Sequence, residues 1–160
     1  MVGDGSAHEM TFLSWRENYA VHVPQIDSEH RNLFGLINGF HDQGAGGATL
    51  ARNLHMLNRL VAYAEEHFQH EEAMMKHSGY SRLDYHREKH ANLFSSIFEL
   101  NSRFAAGTAK VDSETQRFLK HWLVEHILKD DLDCGDFLLR KAVQAGKAAG
   151  QTAKKDPPPR

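Results

Sequence analysis

The longest helical pattern of this sequence is TLARNLHMLNRLVAYAEEHFQHEEAMMKH, which spans residues 49–77. Its apolar side chains recur every three or four residues, as at Leu50, Leu57 and Phe68, and this spacing places them on one face of an α-helix. Gly79 follows shortly afterwards, where a glycine commonly ends a helix. The stretch therefore predicts a long amphipathic helix that buries one face.

Three other segments have the same apolar spacing and carry residues that are typical of helix ends. The first is predicted to begin near Asp27 or Ser28 and to end just before the glycine-rich loop 44–47. The second is predicted to begin between Arg82 and Tyr85 and to end at Gly107. The third is predicted to begin with a capping box formed by Ser113 and Gln116. A shorter helix is predicted over about 133–143. Because the long segments are joined by short connections, successive helices run antiparallel, which predicts an all-α, up-down-up-down four-helix bundle.

The length of 160 residues is that of a single domain. We expect this domain over residues 1–144, with an N-terminal arm over 1–25 that packs on the bundle and the bundle itself over about 27–131. Residues 145–160 are rich in alanine, glycine and lysine and end in Pro-Pro-Pro-Arg. Such a segment has no apolar face to bury, so we expect a disordered tail there.

The overall composition excludes several classes of protein. A formal net charge of −2 and a sequence pI of about 6.6 lack the basic balance of most nucleic-acid binders. No apolar run approaches the ~20 residues that span a bilayer, and residues 1–10 do not resemble a signal peptide. The single cysteine, Cys134, cannot form an intrachain disulfide. We therefore expect a soluble cytoplasmic protein without nucleic-acid or membrane partners.

Histidine is unusually frequent, with 12 residues in 160. The polar residues that fall on the inward faces of the predicted helices are His30, His67, Glu71, His86, His90, His126 and Asp131. Two pairs among them are four residues apart, so each pair lies on one helix face. Burying a polar group without a partner costs roughly 1–3 kcal/mol, and a domain has only about 5–15 kcal/mol of stability in total. A bound metal centre would give every one of these groups a partner.

The number of ligands indicates two metal ions. Imidazole binds zinc, copper, iron and nickel, but structural zinc closes at four ligands. Two octahedral ions have twelve positions, of which five imidazoles fill five and three two-ended bridges fill six. The bridges would be the two carboxylates and an oxo or hydroxo group from solvent. One position then stays open for dioxygen or a small anion, which predicts a pair of non-haem irons.

At these residues the sequence resembles the hemerythrin family, and its bacterial branch in particular. The matching motifs are Ile26-Asp27-Ser28-Glu29-His30, His67-Phe68 with Glu71-Glu72 and Met74-Met75, Gly79-Tyr80, His86 with His90, Trp122-Leu123 with His126-Ile127, and Asp131. Together these motifs cover roughly residues 12 to 140. Their combined spacing is highly specific, and no ligand position is missing.

The resemblance implies a role for each of these residues. One iron would be bound by His86, His90 and His126, the other by His30 and His67, which would leave the second iron with the open position, and the bridges would be Glu71 and Asp131. Asp130 competes with Asp131 for the bridging role, and the family spacing favours Asp131. The oxygen pocket would be walled by Phe68, Trp122, Leu123 and Ile127, which can also pack in the core.

The hemerythrin family binds dioxygen reversibly, so the resemblance implies an oxygen carrier, store or supply protein rather than an enzyme. The predominance of imidazole ligands also differs from the carboxylate-rich sites of ferritin-like proteins. Two alternatives stay open, namely an oxygen- or redox-sensing module of a chemotaxis-type signalling protein and a di-iron enzyme that acts on peroxide or nitric oxide. The expected partners are dioxygen or small anions.

Overall fold

The computed structural model describes residues 11–152, and this part of the chain contains helices, turns and irregular segments but no strand. In chain order the helices are a 3₁₀-helix (Glu17–Tyr19), α1 (Pro24–Ala45), α2 (Leu50–Ser78), α3 (Leu83–Ala105), α4 (Ser113–His126), a π-helical turn (Ile127–Asp131) and α5 (Leu132–Thr152). The predicted all-α four-helix bundle is confirmed. None of the helices within these bounds is both long and apolar enough to cross a bilayer.

The apolar core lies between α1, α2, α3 and α4, on the faces that the spacing predicts. Its fully buried side chains include Leu33, Ile37, Phe40, Leu57, Leu60, Ile97, Phe104 and Leu119. The rings of Phe40 and Phe104 meet edge to face with centroids 5.6 Å apart, which is a favoured aromatic geometry. This packing fixes the four helices side by side and so determines which side chains face one another farther along the bundle.

Both ends of α2 agree with the sequence. The side chain of Thr49 caps the helix by accepting a hydrogen bond from the Arg52 N–H. Gly79 follows the last turn with a φ of 72°, a left-handed conformation that glycine adopts with little strain. The chain then turns tightly into α3 at Leu83. The C-terminal turns of α2 consequently lie beside the N-terminal turns of α3.

The start of α1 differs from the prediction. The helix begins at Pro24 and not near Asp27 or Ser28, because proline is favoured in a first turn, where its missing N–H leaves no hydrogen bond unmade. Asp27 lies in that first turn instead. Its carboxylate accepts a hydrogen bond from the Val21 N–H at 2.7 Å, which ties the arm to the helix.

The cap of α4 also differs from the prediction. Asp112 is the N-cap residue, and its carboxylate accepts a hydrogen bond from the Thr115 N–H at 2.9 Å. The predicted capping box, with Ser113 as the cap, does not form. Aspartate is as good an N-cap as serine, so the first of two adjacent candidates takes the position and the helix starts at Ser113.

The last helix, α5, is longer than predicted. It continues from the π-helical turn without a break and ends at Thr152, whereas the sequence predicts a helix over about 133–143 and a disordered tail from residue 145. Residues 145–152 contain alanine, lysine and glutamine, which are good helix formers. A helix that is already formed can therefore extend without burying a face. The expected disorder of residues 153–160 lies outside the described residues.

The N-terminal arm packs on the bundle, as predicted. The Leu13 N–H donates to Oδ1 of Asn38 at 2.8 Å, and Nδ2 of Asn38 donates to the Leu13 carbonyl at 2.9 Å. Farther along, the arm passes close to α5 at Gly135, where an added Cβ would lie 2.5 Å from the Val21 carbonyl oxygen. Glycine therefore permits this close approach. The part of the arm predicted over residues 1–10 lies outside the described residues.

Candidate metal centre

Seven polar side chains meet inside one end of the bundle, and they are the seven that the sequence predicts as metal ligands. They lie in the N-terminal turns of α1 and α3, the C-terminal turns of α2 and α4, and the π-helical turn: His30, His67, Glu71, His86, His90, His126 and Asp131. Each of them is 5% exposed or less. The structure thus brings the whole predicted set together, and its binding of metal stays a prediction.

The local backbone explains how these side chains reach a common point. The ligand pairs on α2 and on α3 are each four residues apart, which is one turn of an α-helix. His126 and Asp131 are five residues apart, and in an α-helix their side chains would point about 140° away from each other. The π-helical turn Ile127–Asp131 is wider, with i→i+5 hydrogen bonding. It returns Asp131 to the face of His126, so that Nε2 of His126 lies 2.9 Å from Oδ1 of Asp131.

The first group of ligands surrounds one carboxylate oxygen of Glu71. Oε2 of Glu71 lies 3.2 Å from Nε2 of both His86 and His90. Oδ1 of Asp131 closes the group, at 3.3 Å from Nε2 of His86 and 2.9 Å from Nε2 of His126. The five ligand atoms lie within 4.8 Å of one another. One ion in their midst could therefore be reached by three imidazoles and two carboxylates.

The second group consists of His30, His67 and Asp131, whose ligand atoms also lie within 4.8 Å of one another. Oδ2 of Asp131 lies 3.2 Å from Nε2 of His30, while Oδ1 faces the first group. This carboxylate therefore presents one oxygen to each of two imidazole groups, which is the placement required of a bridge between two ions. Glu71 has a second oxygen, Oε1, that is buried and unpartnered.

Several ligand atoms of the cluster are buried without a hydrogen-bond partner in the described part of the chain. They are both ring nitrogens of His30, Nε2 of His67, Nε2 of His126, Oε1 of Glu71 and both carboxylate oxygens of Asp131. Contacts of 2.9 and 3.2 Å join some of these atoms, but without hydrogen-bond geometry. Leaving such groups unpaired costs about 1–3 kcal/mol each. Metal ions would pair them, and a mixed nitrogen and carboxylate donor set suits iron.

Carboxylates and imidazoles balance each other's charge in the cluster. Burial and the negative charge of Asp131 raise the pKa of Glu71, but hydrogen bonds from His86 and His90 outweigh both and lower this pKa to about 2. Burial lowers the pKa of His126, but the negative charge of Asp131 and the close contacts with Asp130 and Asp131 raise it to about 10. Imidazole protons therefore neutralise the buried carboxylates in the metal-free chain, and bound metal ions would replace those protons.

Three further carboxylates hold the ligand imidazoles from outside, and sequence reasoning missed them. These outer carboxylates are Glu29, which lies 2.9 Å from Nδ1 of His67, Glu72, which lies 3.0 Å from Nδ1 of His90, and Asp130, which lies 3.4 Å from Nδ1 of His126. An ionised carboxylate only accepts hydrogen bonds, so these contacts favour a proton on each Nδ1. Once metal ions replace the protons of the cluster, each Nε2 would be left with its lone pair for the metal.

The sequence does contain a signal for the outer carboxylates, because each of them is the immediate neighbour of a predicted ligand. Glu29 precedes His30, and Asp130 precedes Asp131. Since Asp130 contacts the outward-facing Nδ1 of His126, it does not occupy the bridging position for which it was the alternative. Asp130 thus lies beside a predicted ligand, and the bridging role of Asp131 stays a prediction.

The predicted oxygen-pocket residues form an apolar wall beside the cluster. All four are buried and belong to the main core: Phe68, Trp122, Leu123 and Ile127. The ring of Phe68 stacks on that of His90 with centroids 4.1 Å apart. Nε1 of Trp122 donates a hydrogen bond to the Leu93 carbonyl at 2.9 Å, which fixes the indole in the wall. Their packing role is observed, and their role in an oxygen pocket stays a prediction.

Comparison with known proteins bears on the same part of the chain. Residues 21–134 match the hemerythrin HHE cation binding domain. The chain is 32% identical over 123 residues to a bacteriohemerythrin of Methylococcus capsulatus, which covers 76% of this chain and 93% of that protein. It is also 32% identical over 117 residues to a myohemerythrin of Theromyzon tessulatum, covering 73% and 86% of the two chains.

A solved structure agrees with these relatives. The crystal structure of wild-type hemerythrin superposes on this chain with a TM-score of 0.73 and 32% sequence identity, and the match covers 79% of this chain and 97% of that chain. Residues 21–134, which match the family, include all the helices that contribute to the cluster. From its sequence, its fold and its cluster of buried histidines and carboxylates, the chain belongs to the hemerythrin family.

Proposed function

We propose that this protein binds dioxygen reversibly at a pair of non-haem irons, as an oxygen carrier, store or supply protein. The observation that carries this proposal is Asp131, whose two oxygens face two separate groups of buried imidazoles. In the proposed site the ligands of one iron are His86, His90 and His126, those of the other are His30 and His67, and the bridges are Glu71 and Asp131. Membership of the hemerythrin family supports this reading.

The surroundings of the cluster favour carriage over turnover. When bound, the iron pair would supply electrons to dioxygen and take them back on release. The five imidazoles are neutral ligands, which favour the ferrous state more than a carboxylate-rich site does. The buried side chains of Phe68, Trp122, Leu123 and Ile127 exclude water from one side. A dry wall hinders proton delivery, so that dioxygen leaves as dioxygen and not as a reduced product.

Absorption spectroscopy tests the proposal directly. Protein expressed with ample iron is reduced without air, and its visible spectrum is followed through repeated cycles of air and argon. We expect a charge-transfer band that appears with air and disappears under argon over several cycles. A protein that contains no iron, or a single zinc, would contradict the metal centre. A spectrum that changes irreversibly in the first cycle would contradict reversible binding and favour sensing or catalysis.

Substitution of His86 tests the ligand set. The change His86→Ala removes a buried imidazole that contacts both Glu71 and Asp131, so we expect the iron content to fall well below that of the wild type. The matched control is His121→Ala, because the His121 side chain is 76% exposed on α4 and belongs to neither buried group. Iron is measured by mass spectrometry on the purified proteins. Unchanged iron in His86→Ala would remove this residue from the site.

A further inference from the structure

One surface histidine is joined to the buried cluster through an outer carboxylate. The side chain of His70 on α2 is 44% exposed, and its Nδ1 donates to Oε1 of Glu29 at 2.9 Å. Oε2 of the same carboxylate accepts from Nδ1 of His67, also at 2.9 Å. His67 in turn directs its buried Nε2 into the cluster. A continuous chain of two hydrogen bonds thus links the exposed ring of His70 to a predicted iron ligand.

The second ligand group has fewer contacts with outer carboxylates than the first group has, so it depends more on the hydrogen bonds through Glu29. Among the described residues, neither ring nitrogen of His30 has a hydrogen-bond partner. Glu29 is therefore the carboxylate that orients this group, through His67. The first group has two such contacts, from Glu72 to His90 and from Asp130 to His126, the latter at 3.4 Å.

Several hydrogen bonds hold the Glu29 carboxylate in place. It accepts from Gln25, His67 and His70. Nε2 of Gln25 donates to Oε1 at 3.1 Å, so this oxygen has donors from two directions. A glutamate has three rotatable side-chain bonds, and fixing them from the solvent side reduces the freedom of Oε2 to leave His67.

We propose that His70 is a positioning residue for the iron held by His30 and His67, and that it acts through Glu29 on the orientation of the His67 imidazole. This inference rests on the proposed function, because it concerns one of the two irons of that site. The requirement at position 70 is a hydrogen-bond donor, since Glu29 can only accept. A side chain of similar size without a donor should therefore not hold Glu29 in place. A smaller side chain whose donor lies at the same distance from Cα should hold it.

Arg87 offers a counterpart on the other side of the cluster. Its Nε donates to Oε2 of Glu72 at 3.1 Å, while Oε1 of Glu72 accepts from Nδ1 of His90. The same reasoning makes Arg87 a support for the first group of ligands. Since the two supports reach different imidazoles, removing one of them should affect one iron and leave the other unchanged.

Metal release measures each support separately. The reduced protein with its irons bound is mixed anaerobically with a coloured ferrous chelator, and the release of iron is followed in time. Loss of a carboxylate that supports a metal-binding histidine lowers affinity about 10–100-fold, and His70 lies one step farther out. We therefore expect His70→Leu to release about half of its iron roughly tenfold faster than the wild type, with the remaining half unchanged.

The variant His70→Asn provides the rescue that a merely structural role would not predict. The asparagine Nδ2 can donate to Glu29 from nearly the position of the histidine Nδ1, so we expect release within about twofold of the wild type. The change Arg87→Met should accelerate the other half of the iron, and the double variant with His70→Leu should accelerate both halves. His121→Leu, at an exposed position on α4, should release iron as the wild type does.

The outcomes separate this inference from the proposed function. A wild-type protein without two irons overturns the proposed function, and the inference with it. If the wild type holds two irons, the inference is overturned by unchanged release from His70→Leu, by equal acceleration of both irons, or by a His70→Asn variant that behaves like His70→Leu. Circular dichroism of the metal-free variants identifies any general loss of folding.

Discussion

The two ends of the bundle are built from the same four helices but are stabilised in opposite ways. At one end the core is mainly apolar, with Phe40 and Phe104 edge to face and with Leu57 and Ile97 fully buried. At the other end the same helices bury the seven polar ligand residues, several of whose atoms have no hydrogen-bond partner in the described part of the chain. The change from one kind of interior to the other occurs within a few helical turns.

The apolar end stabilises the fold, whereas the ligand end contains the polar side chains that the fold brings together. Each buried leucine or phenylalanine of the apolar end contributes roughly 1.5–3 kcal/mol by leaving water. A buried polar atom without a partner costs about 1–3 kcal/mol instead, so the ligand end weakens the metal-free chain. The apolar end therefore has to position the ligands before a metal arrives, and bound metal then adds its binding energy to the stability of the ligand end.

Of the predicted changes, Asp131→Asn should have the largest effect, because it should remove most of the iron from the ligand end. Asparagine has almost the same size, but its amide nitrogen cannot bind a cation, and the negative charge that faces both imidazole groups is lost. We expect the iron content to fall to roughly a tenth of the wild-type value. Iron is measured by mass spectrometry after gel filtration.

The matched control for this bridge is Asp130→Asn. Asp130 contacts the outward-facing nitrogen of His126 and not the interior of the cluster, so this variant should keep most of its iron. If the two variants lost iron equally, the bridging role of Asp131 would have to be abandoned. If Asp130→Asn alone lost its iron, Asp130 would have to be assigned as the bridge and Asp131 as the support of His126.

The change Phe104→Ala should weaken the apolar end and leave the metal site intact. Phe104 is fully buried against Phe40, and removing such a ring costs about 3–5 kcal/mol of unfolding free energy. Urea denaturation of the metal-free protein measures this loss, and iron analysis measures the site. We expect a lower midpoint with an unchanged iron content per folded chain. A loss of iron in the folded fraction would show that the two ends are coupled.

Regular spacing made most of this molecule predictable from its sequence. An apolar residue every three or four positions identifies α1 to α4 because the α-helix repeats every 3.6 residues. The same periodicity places His67 with Glu71, and His86 with His90, on inward faces. Candidate metal ligands could be picked out because imidazoles and carboxylates are unusual on a helix face that is otherwise apolar and buried. These features depend only on residue type and position along one helix.

The features that escaped prediction depend on contacts between helices or on departures from the regular helix. The π-helical turn Ile127–Asp131 has no residue that marks it, although the five-residue separation of His126 and Asp131 requires it if both are to face one site. Glu29 supports His67 across two helices, which spacing within one helix cannot show. The extension of α5 to Thr152 reflects propagation of a helix already formed.

The smallest predicted effect is a pH dependence of the unfolding free energy of the metal-free protein, which arises at the ligand end. Contacts with Glu71 and Asp131 outweigh burial and raise the pKa of His86 to about 9, and His126 has a pKa of about 10. A histidine whose pKa is raised by folding stabilises the fold fully below its unfolded pKa of about 6.5. This stabilisation is lost as the pH rises through about 9 to 10.

The metal-free protein should therefore lose about 1–2 kcal/mol of unfolding free energy when the pH is raised from 7 to 8. The iron-loaded protein should not show this loss, because metal-bound imidazoles have already given up their protons and metal affinity rises with pH. Urea denaturation of both forms across this pH range compares them directly. A metal-free protein whose stability stays level or rises over that interval would mean that the buried imidazoles do not hold the protons that the cluster's charge balance requires.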